Sequence, residues 1–153
     1  MKVSTKGRYG LRAMIEIASH PGSGHVPLAL VAERQGISGN YLEQVVALLR
    51  KGGFIRSVKG AHGGYRLTRP AREIRVGDLL RVLEGSLSVM DGDDPAMARE
   101  AAGQDDAVRR AIRSQVWERI DRSVADVVDA ITLEDLVEEA RKKGDPGALH
   151  YEI

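Results

Sequence analysis

Residues 32–68 read AERQGISGNYLEQVVALLRKGGFIRSVKGAHGGYRLT, and this stretch contains in order the end of one helix, a turn, a second helix and a hairpin. An apolar edge predicts the first helix over residues 28–35, and Gly36 ends it because glycine readily adopts a positive φ. Ser38 is the predicted N-cap of the second helix. That helix has apolar residues at i, i+3, i+4 and i+7, which predicts a buried stripe of Leu42, Val45, Val46 and Leu49.

The segment after the second helix predicts a β-hairpin. Residues 54–58 and 65–67 alternate as strands, and residues 59–64 form a tip that holds three glycines. A helix-turn-helix followed by such a hairpin is a winged helix-turn-helix, whose natural ligand is duplex DNA. Any hairpin tip can use glycine, so the tip alone decides little. The basic residues around it favour DNA: Arg56, Lys59, Arg66 and Arg69.

The outward face of the second helix predicts base contacts, because its side chains are small or hydrogen-bonding and few are long and charged. Gln44 suits adenine, and Glu43 suits the amino group of cytosine. An earlier helix is predicted over residues 4–19, and several cations lie at its start. Cations at a helix N-terminus oppose the helix dipole, but they are well placed to contact DNA phosphates. The alternative is a charged face that contacts only solvent. The predicted DNA-binding residues are Lys2, Lys6, Arg8, Ser38, Asn40, Tyr41, Glu43, Gln44, Arg50, Lys51, Lys59 and His62.

Charge is divided unevenly along the chain. Residues 1–81 hold 14 Lys and Arg against 5 Asp and Glu, whereas residues 82–153 hold 9 against 17, so a basic head precedes an acidic body. Such a head is typical of a protein that binds a polyanion, although an asymmetry of this kind also arises by chance. The acidic half argues against a membrane surface as partner. The start, MKVSTKGRYG, has no apolar run behind its charges, and we expect a cytoplasmic protein.

The composition also restricts the chemistry. With 153 residues and 42% apolar content the chain can bury a core. It contains no cysteine, which excludes disulfides, thiolate nucleophiles and metal or iron–sulfur sites built on sulfur ligands. The acidic run DGDD at residues 91–94 lacks EF-hand spacing and is interpreted as a solvated loop. We expect no cofactor and no metal.

A long amphipathic helix is predicted in the second half. Residues 75–84 form one further helix, after which the pattern dissolves over residues 86–106. Apolar residues then recur every three or four positions over residues 108–130, which is roughly 35 Å of helix. Such a stripe needs a partner, either the same helix of a second copy in an antiparallel dimer or the chain's own head. The predicted dimer residues are Ile112, Val116, Trp117, Ile120, Val124, Val127 and Val128.

Together these patterns predict a mainly α-helical protein with a small β-hairpin wing. We expect a winged helix-turn-helix DNA-binding domain (1–85), a flexible acidic linker (86–107), and a long dimerisation helix with a short closing helix (108–143). The closing helix is expected to run from Thr132 to Arg141, and a C-terminal tail (144–153) follows it.

The motifs taken together resemble the Rrf2 family of bacterial transcription regulators. The resemblance rests on YLEQ (41–44), SVKGAHGGYRL (57–67), VGDLLRVLEG (76–85) and ITLEDL (131–136), and it covers nearly the whole chain apart from the linker. It implies a homodimeric repressor or activator that binds a partly palindromic operator, with the long helix as dimer interface. Many members hold an iron–sulfur cluster on three cysteines after VGDLLRVLEG. Residues 86–106 have none, so cluster sensing is not carried over.

Within the family, the chain most resembles the cluster-free branch of cysteine-metabolism repressors, which share the ITLEDL helix and an extended tail ending in isoleucine. This resemblance implies a second partner, the cysteine synthase that uses O-acetylserine. The expected bait is Tyr151, Glu152 and Ile153, because a terminal carboxylate beside a branched side chain suits an amino-acid site lined by backbone donors. A terminus without a role is the alternative.

Two other classes of function are alternatives to a regulator, and a regulator that answers a different effector is a third. An enzyme needs a nucleophile or an acid–base pair in a pocket, and the sequence has no Cys, HExxH, Walker loop or GxSxG motif. A winged helix used purely as a protein-interaction scaffold is the other alternative. The basic head favours the regulator, because a scaffold has no need of it. The histidines fall in predicted turns, the wing or the tail: His20, His25, His62 and His150.

Overall fold

Three helices form the predicted helix-turn-helix and the helix that supports it. The computed structural model describes residues 2–20, 24–60, 63–90, 95–102 and 106–144. Helix α1 spans Thr5–Ala18, α2 spans Leu28–Gln35 and α3 spans Gly39–Lys51. Gly36 lies between α2 and α3 with φ 62°, which confirms the predicted turn.

The wing is an antiparallel pair of strands, β1 (Ile55–Val58) and β2 (Gly64–Leu67). Its root is fixed by Val26, which exchanges two backbone hydrogen bonds with Tyr65 at 2.7 and 2.9 Å. A Cβ at Gly64 would collide with the backbone of Val26, so glycine is needed for this close approach. The bridge was not predicted, because one paired residue produces no alternating pattern in the sequence.

The core lies between α1, α3, the wing and a fourth helix, α4 (Val76–Glu84), and it is almost entirely aliphatic. The predicted stripe on α3 is confirmed as buried, and it packs with residues such as Met14 of α1 and Leu79 of α4. Each fully buried aliphatic side chain contributes about 1.5–3 kcal/mol relative to an exposed one. The sequence contains a single phenylalanine, Phe54, which is buried at the start of the wing.

The helix predicted over residues 75–84 is confirmed as α4, which spans Val76–Glu84, and Arg75 is its N-cap rather than its first residue. The expected loss of regular structure over residues 86–106 is wrong at residues 95–101, where helix α5 spans Pro95–Ala101. Proline is favoured at the first helical position and alanine propagates a helix, but seven residues are too few to show an apolar period. The sequence pattern therefore missed this helix.

The long helix is continuous over the predicted length but not uniform. It consists of α6 (Ala107–Ile112), a π-helical turn (Arg113–Trp117) and α7 (Glu118–Ala130). Asp106 caps its start by accepting a hydrogen bond from the backbone N–H of Arg109 at 2.9 Å. No glycine or proline marks the π turn in the sequence, so the pattern could not predict it.

The closing helix, α8, spans Leu133–Gly144 and so extends beyond its predicted end at Arg141. Lysines at positions 142 and 143 prolong it, because cations are favoured in the last turn of a helix. Thr132 and Asp135 cap its start reciprocally, with hydrogen bonds of 2.9 and 3.1 Å.

The apolar side of α8 packs on the head rather than on the long helix with which the sequence pattern grouped it. Leu133 and Val137 are buried in the same cluster as α1. The backbone N–H of Leu133 donates to the carbonyl of Ile74 at 2.8 Å, and that of Val76 donates to the carbonyl of Ile131 at 2.9 Å. The chain therefore returns to the head after the long helix.

Candidate nucleic-acid interface

The outer face of α3 is open to solvent and carries polar side chains. The hydroxyl of Ser38 accepts a hydrogen bond from the backbone N–H of Tyr41 at 3.2 Å and so caps the helix as predicted. Asn40, Glu43 and Gln44 are exposed. Within the described part of the chain, none of these three side chains makes a hydrogen bond or an ion pair. Their polar groups are therefore available to an external ligand such as a base edge.

Tyr41 differs from these neighbours because its ring packs against Tyr9 of α1. The two ring centroids lie 5.5 Å apart and the rings meet edge to face at 88°. The guanidinium of Arg12 lies 5.1 Å from the centre of the Tyr9 ring. Tyr41 thus fixes the first turn of α3 against α1, a role that sequence reasoning missed because nothing local pairs it with Tyr9.

The N-terminus of α1 is capped by a carboxylate from another helix. Oε1 of Glu84, at the end of α4, accepts hydrogen bonds from the Ser4 backbone N–H at 2.9 Å, the Ser4 hydroxyl at 2.8 Å and the Gly7 backbone N–H at 3.0 Å. Glu84 also supplies the negative charge that a helix N-terminus favours. A Cβ at Gly7 would collide with this carboxylate. Sequence patterns offered no signal for Glu84, because these contacts join distant parts of the chain.

Glu84 thereby holds the basic N-terminal segment in a defined position. Lys2, Lys6 and Arg8 are exposed there. None of the three forms an ion pair with any residue that the structure describes. Their charges remain available to phosphate groups, although exposed lysines also occur on surfaces with no ligand.

The wing carries two arginines directly opposite each other. Arg56 of β1 faces Arg66 of β2, and both side chains are exposed. Like charges in this arrangement are destabilising. No acidic side chain pairs with either arginine among the described residues. A polyanion would relieve the repulsion. Lys59 is exposed next to the tip, whereas His62 lies outside the described residues.

Arg50 and Lys51 occupy the last turn of α3 and are exposed. Cations at a helix C-terminus are stabilised by the helix dipole, so these two residues have a structural reason to be basic. The remaining predicted cations lie at the start of α1 and on the wing, where no such reason applies. Those positions carry the stronger indication of an anionic ligand.

The long helix exposes much of its apolar stripe. Four of the predicted interface residues expose between 39% and 60% of their surface: Ile120, Val116, Ile112 and Val127. The other three are half-buried: Trp117, Val124 and Val128. Exposed apolar surface costs about 25 cal/mol per Å², so a contiguous stripe of this kind is typical of an interface.

The end of α7 packs on α4 of the same chain, so the alternative of packing on the head holds for this part of the long helix. Arg81 donates two hydrogen bonds to Asp129, at 2.7 and 2.9 Å. The bidentate contact raises the pKa of Arg81 and lowers the pKa of the Asp129 carboxyl. A Cβ at Gly77 would collide with the Asp129 side chain, so glycine permits the close approach of α7.

The segment between the head and the long helix is tied to α7 by Asp121. Its carboxylate accepts hydrogen bonds from the Ser88 hydroxyl at 2.6 Å and from the Val89 backbone N–H at 2.8 Å. The chain has no cysteine, and no cluster of three His, Cys, Asp or Glu suited to a metal ion occurs in the described ranges. These residues do not fit an iron–sulfur cluster.

The predicted partner-binding tail and the question of a membrane span concern parts of the chain outside this interface. The tail residues Tyr151, Glu152 and Ile153 lie outside the described residues. Among the helices that the structure describes, none combines the length and the apolar character needed to cross a membrane.

Comparison with known proteins identifies close relatives. A family model described as Rrf2, iron-dependent transcriptional regulator, matches residues 3–139. The HTH-type transcriptional regulator CymR of Bacillus subtilis (strain 168) is 41% identical over 139 residues, which are 89% of this chain and 89% of CymR.

Solved structures show the same likeness. The structure of T. potens IscR matches with a TM-score of 0.75 at 44% identity, over 99% of this chain and 96% of IscR. The structure of CymR, described as the global cysteine regulator of B. subtilis, matches with a TM-score of 0.72 at 39% identity, over 91% of this chain and 98% of CymR. The predicted winged-helix fold and the likeness to the cysteine-regulator branch are confirmed. Because the family model spans most of the sequence, the chain belongs to the Rrf2 family of helix-turn-helix transcriptional regulators.

Proposed function

We propose that this regulator binds an operator in duplex DNA as a homodimer and represses transcription there. The observation that carries the proposal is the exposed polar face of α3 together with the basic groups on α1 and on the wing. In the described structure these basic groups have no ion-pair partner. Members of the Rrf2 family are DNA-binding regulators that typically act as dimers.

Each part of the surface has a distinct task in this proposal. Helix α3 enters the major groove, where Gln44 reads adenine and Glu43 accepts a hydrogen bond from cytosine. The segment containing Lys6 and Arg8 contacts backbone phosphates, and the wing places Lys59 beside the neighbouring sugar–phosphate ridge. Phosphate contacts supply most of the affinity, and α3 supplies the sequence preference.

The exposed stripe of the long helix supports dimerisation. Two copies packed through this stripe would bury the side chains of Val116, Ile120 and Val127, which the single chain leaves in water. A symmetric dimer presents two α3 helices, so it binds a palindromic operator far more tightly than a monomer binds one half-site. Occupation of the operator then excludes other proteins from that segment of DNA, which is the physical basis of repression.

We also propose that the regulated genes serve cysteine and sulfur metabolism. The similarity to CymR, described as a global cysteine regulator, supports this assignment. In this proposal the tail residues Tyr151, Glu152 and Ile153 bind a cysteine synthase, which reports the supply of its amino-acid substrate. The absence of cysteine from the chain supports a protein partner over an iron–sulfur cluster as the source of the signal.

Selection of genomic fragments tests the main proposal. Full-length protein would be mixed with sheared DNA from the source organism, and the retained fragments would be sequenced. The recovered operator and a random duplex of equal length would then be compared by fluorescence anisotropy across a salt series. We expect tighter binding to the operator, by about 10³-fold or more, and steep salt dependence on both duplexes.

Two results would contradict the proposal. Equal affinity for operator and random DNA would show that α3 does not read sequence. No salt-dependent retention of any fragment would favour a protein-interaction scaffold, since a winged helix does not by itself fix the function.

A further inference from the structure

A cleft of about 500 Å³ opens on the side of the head, between α1, α2 and α8. Each of these helices contributes one guanidinium to its lining: Arg12 from α1, Arg34 from α2 and Arg141 from α8. Glu16 is the one carboxylate among the described residues that line it. None of the described residues that line the cleft belongs to the proposed DNA contacts, so those contacts do not account for its charge.

The negative charge of Glu16 is already engaged. Its Oε1 accepts a hydrogen bond from Nε2 of Gln35 at 2.6 Å, and its Oε2 lies 3.7 Å from Nε of Arg34 and 3.4 Å from Nε2 of His20. Arg12 and Arg141 form no ion pair within the described part of the chain. Two guanidinium charges in the cleft therefore lack a counter-charge, and guanidinium groups bind carboxylates in a bidentate geometry.

The remaining lining restricts the kind of anion. Ile15, Val137 and Ala140 form an apolar wall beside the arginines. Such a wall favours a ligand with a short carbon skeleton over inorganic phosphate. We propose that the cleft binds a small organic acid through Arg141 and Arg12, and that this ligand regulates operator binding. The regulatory half of the proposal rests on the proposed function.

Arg12 connects the cleft to the DNA-facing surface. Its Nε donates to Oε1 of Gln35 at 3.0 Å, and a second nitrogen donates to the backbone carbonyl of the same residue. Gln35 is the last residue of α2, immediately before the turn of the helix-turn-helix. Arg12 also lies over the ring of Tyr9, which packs against Tyr41 at the start of α3. A carboxylate that draws the Arg12 guanidinium towards Arg141 loosens these contacts and so changes the support of α3.

Calorimetry on the full-length protein tests the site. The probes are sodium acetate, succinate and glutamate at fixed ionic strength, with succinamide as the uncharged control and inorganic phosphate as an anion without carbon. We expect saturable binding of at least one acid and none of succinamide. Arg141→Ala should weaken that binding by about tenfold or more, since it removes a charge-assisted contact. Lys142→Ala, a neighbouring cation on α8 that does not line the cleft, should leave it unchanged.

Three results would overturn the site: no binding of any of the three acids, binding that survives Arg141→Ala, or equal binding of phosphate. Circular dichroism would establish that both alanine variants fold.

Operator affinity with and without the bound acid tests the regulation. We expect a change of about 5- to 150-fold in the native protein and none in Arg141→Ala. An unchanged operator affinity in protein saturated with the acid would overturn the regulatory role. Protein that binds the acid but no operator at all would instead contradict the proposed function and leave the site supported.

Discussion

At the scale of single residues, the proposed interface assigns base reading to some side chains and contact with the DNA backbone to others. Gln44→Ala removes a proposed base contact, and we expect it to relax preference at one position of each half-site by about 1–3 kcal/mol. Lys59→Ala should weaken binding to all sequences and reduce the salt slope by about one. Anisotropy on operator variants across a salt series would separate the two effects. Equal losses on operator and random DNA for Gln44→Ala would contradict base reading.

Glu84 acts at the same scale, since a single carboxylate oxygen receives all three hydrogen bonds from the start of α1. Glu84→Ala should cost about 1–3 kcal/mol of stability, because the N–H groups of Ser4 and Gly7 lose their acceptor. Glu84→Gln keeps an acceptor oxygen and should lose less. The salt slope of operator binding should also fall in Glu84→Ala, because the basic segment beside Ser4 is no longer held in place.

Urea unfolding and salt-dependent anisotropy would check this expectation. Glu33→Ala is the matched control, because Glu33 is exposed on α2 and makes no ion pair with the described residues. A Glu84→Ala protein as stable as the native one would show that the cap contributes nothing.

At the scale of elements, the long helix has one end tied to the head and one stripe left exposed. The tie is the pair formed by Arg81 and Asp129, which lowers the pKa of the aspartate. A lowered pKa means that the carboxylate stabilises the fold above the ordinary aspartate range and stops doing so as the pH falls through the lowered value. The native protein should therefore melt at a higher temperature than Asp129→Asn at neutral pH, and the gap should close only below about pH 4.

Thermal unfolding of both proteins across a pH series measures that gap. Asp126→Asn, on an exposed position of the same helix with no ion pair among the described residues, should match the native protein throughout. A gap that is absent at neutral pH, or that persists unchanged into strong acid, would argue against the ion pair as its cause.

The exposed stripe belongs to the same element. Ile120→Glu combined with Val124→Lys places charges on the proposed interface and should yield monomers that lose operator binding, because only paired half-sites bind tightly. Sedimentation and anisotropy would measure the two properties, and Arg122→Glu supplies a charge change off the stripe as control. A double variant that remains dimeric with an intact core would disprove this interface.

Local patterns predicted the elements better than their mutual contacts. The turn at Gly36, the cap at Ser38 and the buried stripe of α3 each depend on residues within one or two turns, and all three were predicted correctly. The cap provided by Glu84 and the packing of Tyr9 on Tyr41 join residues far apart in sequence, where periodicity carries no information. Helix α5 was missed because it is too short to show a period.

At the scale of the whole molecule, charge is divided between a basic head and an acidic second half. The head attracts the DNA backbone, while the acidic second half, with 17 Asp and Glu against 9 Lys and Arg, is repelled by it. In the proposed function, the resulting field turns α3 and the wing towards the duplex.

A second prediction at this scale is that the tail recruits cysteine synthase. If the enzyme holds Tyr151, Glu152 and Ile153 in its active site, its substrate O-acetylserine must compete, because one pocket cannot contain both ligands. The complex should therefore dissociate as O-acetylserine rises. Deletion of Ile153 removes the branched side chain and moves the carboxylate, so it should abolish the association. Operator binding should be retained, because the proposal assigns it to other residues. Ile153→Val keeps both features and serves as the control. Calorimetry of the synthase from the same organism with the native, shortened and control proteins decides the matter, and equal affinity for native and shortened chains would refute capture of the tail.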